Sequence, residues 1–339
     1  MIKKFIKAVT QGESLSIEDS ARAFQIVMSG GATPAQIAAL VVALKMKGES
    51  VGEIAGAATA MRTKMTTIKS PEIAIDVCGT GGDAASDKGS TLNVSTAVAI
   101  VTAACGLPVA KHGNKSVSSS SGSADVLAAL GVNIQAEPQI SEQSLQEIGL
   151  CFMFAPLYHK AMRHVAPIRQ ELAIRTIFNL LGPLANPANP PFQLMGVYSR
   201  DLLVPMAEVL RLLGSKRAWV VHGSDGMDEL TITGESYVAE LKDAEINLFT
   251  LSPQDADLEI SEFDSIKGKN PQSNAAELRA LLGGKLSPYR DVVLLNVSAS
   301  LLIGGLVDNL KDGVAMGADA IDSSKALKIL HDLAEISSR

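Results

Sequence analysis

The chain has 339 residues, of which 47% are hydrophobic and 19% charged, and its formal net charge is -6. That length is sufficient for a large core and for two domains. The acidic balance argues against a nucleic-acid partner, because a surface that binds nucleic acid normally carries a basic excess.

No segment predicts a membrane partner or a secreted protein. Charge or glycine interrupts every apolar run before about 18 residues, which is shorter than a transmembrane helix. The first residues, M-I-K-K-F-I-K-A-V-T, lack the apolar core and the cleavage site of a signal peptide. The 3 cysteines show no C-x-x-C spacing, so free thiols are expected. We therefore predict a cytoplasmic location.

Residues 1–70 predict a small domain made only of helices. Three helix starts carry a capping pattern: Ser16 with Asp19, Thr33 with Gln36, and Ser50 with Glu53. The helix after Thr33 is apolar on nearly all sides between residues 38 and 44, which predicts burial on more than one face. A partner subunit or the rest of the chain could cover the second face, and the pattern leaves both open.

From Ile73 onward, short apolar strands alternate with helices. The predicted strands are 73–77, 107–110, 151–154, 193–197 and 218–221, with helices at 95–105, 141–148 and 202–213. Such alternation is typical of an α/β domain with a mostly parallel sheet, which binds ligands beyond the carboxyl ends of its strands. We assign 71–158 and 191–339 to this domain, while 159–190 is again helical.

Three glycine- and serine-rich turns predict a site for more than one phosphate group. They are G-T-G-G-D at 79–83, K-H-G-N at 111–114 and V-S-S-S-S-G-S-A-D at 117–125. Turns that end strands or open helices offer backbone N–H groups, hydroxyls and a positive dipole end. The first two are expected to follow strands directly. A tight βα connection for the first turn, and a flexible linker for 118–121, remain alternatives.

Asp228 and Glu229 are adjacent carboxylates after the strand 218–221 and a glycine turn at 223–226. Carboxylates at a strand end suit Mg²⁺, a hard cation that takes oxygen ligands and keeps several waters for phosphate to replace. An ordinary solvated acidic turn is the alternative.

The ordered blocks of this chain resemble the anthranilate phosphoribosyltransferase family. Besides the three turns, they are N-V-S-T at 93–96, A-M-R-H-V-A-P-I-R at 161–169, R-T-I-F-N-L-L-G-P-L-A-N-P at 175–187 and D-G-M-D-E-L at 225–230. The similarity runs from about Ser16 to the C-terminus. It implies transfer of a phosphoribosyl group from phosphoribosyl pyrophosphate to anthranilate, with Mg²⁺ as cofactor, in tryptophan biosynthesis. It also implies a cleft between the domains as active site, packing of 159–190 against the N-terminal helices, and a homodimer formed through the helical domain.

The resemblance also implies which residues bind the substrates and the metal. The phosphoribosyl pyrophosphate site comprises Gly79, Thr80, Gly81, Gly82, Asp83, Asn93, Val94, Ser95, Thr96, Lys111, His112, Gly113, Ser119 and Ser123. The anthranilate site comprises Gly79, His112, Asn114, His159 and Arg169. The metal site comprises Ser95, Asp228 and Glu229. Lys111 and Arg169 are expected to act by positioning and charge, with no acid–base pair.

Two features depart from the family pattern. The stretch between Asp83 and Asn93 is longer than usual, so the geometry of 84–92 is open, and Ser120 stands where many relatives carry a basic residue. The absence of that basic residue should weaken the binding of diphosphate unless Lys115 or Lys88 substitutes. Two alternative functions remain: a pyrimidine nucleoside phosphorylase, which shares the K-H motif, and a non-catalytic nucleic-acid-binding homologue.

Overall fold

The computed structural model describes residues 1–81, 89–115 and 121–339. Among the residues singled out from the sequence, Gly82, Asp83, Lys88, Ser119 and Ser120 lie outside the described residues, as does most of 84–92.

Four helices form the N-terminal part of the chain: α1 (Lys3–Thr10), α2 (Ile17–Met28), α3 (Pro34–Lys47) and α4 (Val51–Arg62). The three predicted caps are present. The side chains of Ser16, Thr33 and Ser50 accept the backbone N–H three residues later, at 3.1, 3.3 and 3.2 Å. Because each cap satisfies a donor that the helix leaves unpaired, these positions fix where α2, α3 and α4 begin.

Helix α3 buries one stripe, formed by Ile37, Leu40, Val41 and Leu44. On the opposite side Ala39 is exposed, Val42 is half-buried and Met46 is 83% exposed. The chain therefore covers one face of α3 and leaves an apolar face open.

A seven-stranded sheet, in the order β3-β2-β1-β4-β5-β6-β7, forms the centre of the second part. Its strands are β1 (Ile75–Gly79), β2 (Val109–Gly113), β3 (Leu150–Phe154), β4 (Phe192–Gly196), β5 (Arg217–Gly223), β6 (Ser236–Lys242) and β7 (Glu245–Leu251). The first five strands in this order are parallel to one another, and β6 and β7 are antiparallel additions at one edge. The predicted mostly parallel sheet is confirmed.

Two details of the strand predictions are wrong. Ile73 precedes the sheet and is 51% exposed, so β1 begins later than predicted and includes Gly79. Lys111, His112 and Gly113 do not follow β2 but end it. The predicted site residues Gly79 and Lys111 to Gly113 therefore lie within the strands and not in loops beyond them.

Helices cover both faces of this sheet. They are α5 (Val94–Ala104), α6 (Ser123–Ala129), α7 (Pro138–Ile148), α8 (Ala155–Tyr158), α9 (Ala166–Leu172), α10 (Ile177–Leu184), α11 (Leu203–Leu212), α12 (Pro271–Leu282), α13 (Pro288–Gly304), α14 (Leu310–Asp322) and α15 (Lys325–Ser337). One core lies between the sheet and α5, α13, α14 and α15, and a second core joins the other face to α11 and the N-terminal helices.

The segment 159–190 contacts the N-terminal helices. The rings of Phe24 and Phe178 meet edge to face with centroids 5.7 Å apart. Arg62, at the end of α4, donates a hydrogen bond of 2.7 Å to the carbonyl of Leu184. Phe178 and Leu184 of this segment thus contact α2 and α4, and the division of the chain into domains stays a prediction.

Within the described ranges, the structure contains no helix that is both long and apolar enough to cross a membrane.

Candidate active site

The D-E loop, residues 223–230, lies directly across the ends of β1 and β4. Gly79 and Gly196 are paired in the last register of these strands. A Cβ on Gly196 would be 1.4 Å from the carbonyl oxygen of Asp228, and a Cβ on Gly79 would be 2.2 Å from Asp228 Oδ2. The two glycines therefore allow Asp228 to approach the backbone of the sheet, which any larger residue would prevent.

Two buried polar side chains hold this loop in shape. The Asp225 carboxylate accepts hydrogen bonds from Met227 N at 3.1 Å and from the hydroxyls of Thr231 and Thr233 at 2.6 and 2.7 Å. Asn296 of α13 accepts from Leu230 N at 3.0 Å and donates to Leu230 O at 2.8 Å. Because Leu230 follows Glu229 directly, the asparagine fixes the backbone next to the carboxylate pair.

Asp228 also binds the first glycine turn, of which the structure describes residues 79–81. Its Oδ2 atom accepts a hydrogen bond of 2.8 Å from Gly81 N. The neighbouring Thr80 donates its N–H to Gly196 O at 3.0 Å and accepts from Tyr198 N through its hydroxyl oxygen at 3.0 Å. The first glycine turn and the D-E loop are thus joined by hydrogen bonds at the strand ends.

The donor set at this point fits a magnesium ion. Asp228 is buried and Glu229 half-buried, and both line a cavity that Ser95 also lines. All three present oxygen atoms, and proteins usually bind Mg²⁺ through one or two carboxylates together with water and substrate phosphates. The residues predicted for the metal therefore lie together.

Lys111 is buried where β1 and β2 separate. The two strands are paired at Ile75 and Val109, and beyond that point Lys111 Nζ donates to Val77 O at 2.8 Å and to Ser95 Oγ at 3.2 Å. Burial lowers the pKa of Lys111, and the charge of Asp76 opposes that shift. The ammonium group thus supports both strand β1 and the hydroxyl predicted to bind the metal.

Asp76, the buried carboxyl near Lys111, has an altered acidity. Burial raises the pKa of Asp76 to about 6, against the opposing effects of Asn186 and Lys111. A carboxyl without full solvation favours its neutral form, so this group is only weakly acidic in the folded chain.

The remaining predicted phosphate residues surround the start of α5 and α6. The Asn93 side chain donates to Ser121 O at 3.0 Å and accepts from Asn274 Nδ2 at 3.0 Å, so it ties α5 to the third turn. Val94 and Thr96 are buried in the first turn of α5. Ser123 Oγ donates to Asn114 O at 3.3 Å, and a Cβ on Gly113 would be 2.3 Å from that hydroxyl.

His112 and His159 form a pair beside the same strand end. Their ring centroids are 5.0 Å apart and both are buried. Among the residues that the structure describes, the Nε2 atom of neither ring has a hydrogen-bond partner. Burial lowers the pKa of His112 to about 3, with a further contribution from His159, and lowers the pKa of His159 to about 4. Both imidazoles are therefore neutral at pH 7 and offer polar ring atoms to a ligand.

Arg169 lies in α9 and is half-buried. Burial lowers its pKa, and within the part of the chain that the structure describes no carboxylate forms an ion pair with it. A partly desolvated guanidinium without a carboxylate partner is suited to bind the carboxylate of a ligand.

Two family models match this chain along most of its length. The glycosyl transferase family, a/b domain, matches residues 71–327, and the glycosyl transferase family, helical bundle domain, matches residues 3–65. The fold and the site therefore define a two-domain glycosyl transferase.

Similar proteins agree on a narrower class. The anthranilate phosphoribosyltransferase of Rhodospirillum rubrum is 53% identical over 96% of this chain and 92% of its own. The crystal structure of the enzyme of that name from Thermus thermophilus superposes with a TM-score of 0.93 at 40% identity, covering 99% of both chains. The anthranilate phosphoribosyltransferase from Saccharomyces cerevisiae, in complex with PRPP and Mg, gives a TM-score of 0.91 at 28% identity, covering 99% of this chain and 98% of its own.

This chain belongs to the anthranilate phosphoribosyltransferase family. The comparisons support this activity over the two alternatives, a pyrimidine nucleoside phosphorylase and a nucleic-acid-binding homologue.

Four residues that contact the D-E loop or the turn at 79–81 are absent from the sequence-based predictions: Gly196, Asp225, Asn296 and Arg175, whose Nη2 atom donates to Gly81 O. The signal for Asp225 was present in D-G-M-D-E-L, where a third acidic residue precedes the pair. Asn296 gave no signal, since it lies in an apolar helical run and meets Leu230 from 66 positions away.

Proposed function

We propose that this chain transfers the phosphoribosyl group of phosphoribosyl pyrophosphate to the amine of anthranilate at the ends of β1, β2 and β4, with release of pyrophosphate. The hydrogen bond of 2.8 Å between Asp228 Oδ2 and Gly81 N is the observation that carries this proposal. It joins the carboxylates suited to Mg²⁺ with the turn suited to phosphate, as a diphosphate–metal complex requires.

The donor side of the reaction depends on charge. A bound Mg²⁺ would neutralise the charge that develops on the departing pyrophosphate. Asp228, Glu229 and Ser95 would hold that ion, and Lys111 keeps the Ser95 hydroxyl in place at 3.2 Å. The N–H groups at the start of α5 and the hydroxyl of Ser123 would orient the phosphates. Because hydrogen bonds within the fold already hold Lys111 and Ser123 in place, little reorganisation is needed during the reaction.

The acceptor side depends on position. Arg169 would bind the anthranilate carboxylate, while Asn114 and the neutral rings of His112 and His159 would contact the rest of the acid. An aromatic amine is uncharged at pH 7, so its nitrogen lone pair can attack the ribose carbon as the bond to pyrophosphate breaks. The nitrogen then loses one proton to water or to the released pyrophosphate. The chain needs no acid–base pair for this step, because alignment of the two substrates supplies much of the rate.

Anthranilate fluorescence, measured after addition of phosphoribosyl pyrophosphate and Mg²⁺, tests the proposed activity. We expect a decay that requires all three components and whose rate is proportional to protein concentration. Uridine or thymidine with inorganic phosphate serves as the control for pyrimidine nucleoside phosphorolysis. Constant fluorescence at every protein concentration would refute the proposed activity.

We also propose that the chain forms a homodimer through its helical domain. The outward face of α3 supports this, because Ala39, Val42 and Met46 share one side of the helix and none of them is buried. Sedimentation should give twice the mass of 35.5 kDa, and Met46→Glu should shift the equilibrium toward the monomer. A monomer at micromolar concentration would contradict this assembly.

A cytoplasmic location is part of the same proposal. Its support is that Cys78, Cys105 and Cys151 are all free thiols, which is usual in a reducing compartment. Fractionation of cells that finds the chain outside the cytoplasm would oppose it.

A further inference from the structure

Arg175 links the segment that carries Arg169 to the first glycine turn, at Gly81. It lies between α9 and α10, and its Nη2 atom donates a hydrogen bond of 2.6 Å to the carbonyl of Gly81. Its guanidinium also lies over the ring of Tyr198, 4.3 Å from the centroid. The contact with Gly81 joins residues 94 positions apart in the chain.

Gly81 is consequently held on both sides. Its N–H donates to Asp228 Oδ2 at 2.8 Å, while its carbonyl accepts from Arg175. Gly81 has a φ of 79°, in the left-handed region that glycine adopts most readily. A glycine in this region can rotate its peptide groups at little cost, so its orientation depends on these two partners.

Tyr198 reinforces the same arrangement. Its ring supports the guanidinium, and its N–H donates to the hydroxyl oxygen of Thr80 at 3.0 Å. Arg175 and Tyr198 therefore contact the turn at two successive residues. A planar guanidinium can make the stacking contact and the hydrogen bond together, which lysine cannot.

We propose that Arg175 is a positioning residue for the phosphoribosyl donor, acting through the Gly81 carbonyl. This role rests on the proposed function, because the turn at 79–81 is taken as part of the binding site for phosphoribosyl pyrophosphate. The consequence is that the helical segment which carries the acceptor arginine also sets the geometry of the donor turn.

The test compares Arg175→Ala with Arg200→Ala. Arg200 is a matched control because its guanidinium lies 3.7 Å from the centroid of the Tyr237 ring and it is exposed. We expect Arg175→Ala to raise the KM for phosphoribosyl pyrophosphate about tenfold to a hundredfold, since a charge-assisted hydrogen bond is lost. The KM for anthranilate should change much less, and Arg200→Ala should leave both values unchanged. Arg175→Lys should recover only part of the loss.

A second measurement does not depend on catalysis. Hydrogen exchange in the ligand-free protein should be faster at Gly81 N–H in Arg175→Ala but not in Arg200→Ala. If Arg175→Ala does not fold, Tyr198→Leu, which removes the stacking partner, should show the same two effects to a smaller degree. An unchanged KM for phosphoribosyl pyrophosphate together with unchanged exchange at Gly81 would overturn the positioning role. Absence of turnover in the unmodified protein would instead refute the proposed function, while the exchange comparison would still test Arg175.

Discussion

Replacing Asp228 and Glu229 together by alanine should reduce turnover to near background and leave the fold intact. The two carboxylates are the charged oxygen donors of the proposed metal site, and without them the pyrophosphate leaves with its charge poorly neutralised. Rates measured across a Mg²⁺ titration test this. The matched control is Glu259→Ala with Glu262→Ala, which removes two exposed carboxylates elsewhere. Turnover equal to that of the unmodified chain at any Mg²⁺ concentration would exclude the metal assignment.

A conservative change separates the two roles of Asp228. Asp228→Asn keeps an oxygen that can accept from Gly81 N, but it removes the charge that attracts the metal. If metal binding is the dominant role, Asp228→Asn should lose nearly as much turnover as Asp228→Ala. If holding the turn is dominant, it should retain most of the activity, and titration calorimetry with Mg²⁺ and pyrophosphate would show unchanged binding.

Gly196→Ala tests the same loop without touching its carboxylates. The added methyl would need the position of the Asp228 carbonyl, 1.4 Å away, so the loop or strand β4 must move. We expect a large loss of turnover with a raised Mg²⁺ requirement. Gly52→Ala is the control, because its Cβ would meet atoms no closer than 3.5 Å. Normal turnover of Gly196→Ala would show that the close approach is not needed for activity.

Local signals in the sequence were sufficient for most of the fold. The caps at Ser16, Thr33 and Ser50 depend on side chains three positions apart, which a sequence displays directly. The end of β2 was mistaken for a loop because Lys111 and His112 are polar, and their burial depends on partners outside the strand. Strand β7 is absent from the predictions because it is almost wholly exposed and its apolar residues do not mark a buried face. Strand β6 is mostly buried and is also absent from the predictions.

The residues of the candidate site also fall into two groups, those with a local signal in the sequence and those defined only by contacts in the fold. Asp228 and Glu229 could be predicted from the sequence because two carboxylates that suit a metal are adjacent in the chain. Gly196 and Arg175 could not, because their roles arise from contacts with Asp228 and with Gly81 that only the folded chain creates. A glycine needed for close approach and an arginine that binds a carbonyl look the same in a sequence as a loop glycine and a surface arginine.

The acceptor site should depend most on Arg169. Arg169→Ala should impair the use of anthranilate far more than that of phosphoribosyl pyrophosphate. The carboxylate of the acceptor must leave water to enter the site, and only a paired cation offsets that cost. Loss of a charge-assisted bidentate contact costs about 2–4 kcal/mol, or roughly thirtyfold to a thousandfold in kcat/KM for the acceptor.

Two further variants decide whether the guanidinium itself is responsible. Arg169→Lys should recover only part of the loss, because lysine keeps the charge but lacks the planar pair of donors. Arg163→Ala is the matched control, since Arg163 lies in the same segment, is exposed and contacts His164 at 3.3 Å. Steady-state kinetics with each substrate varied in turn distinguishes the outcomes. An equal loss of kcat/KM for both substrates would show that Arg169 does not belong to the acceptor site. An equal loss in Arg163→Ala would show that the effect comes from the net charge of the segment and not from Arg169 itself.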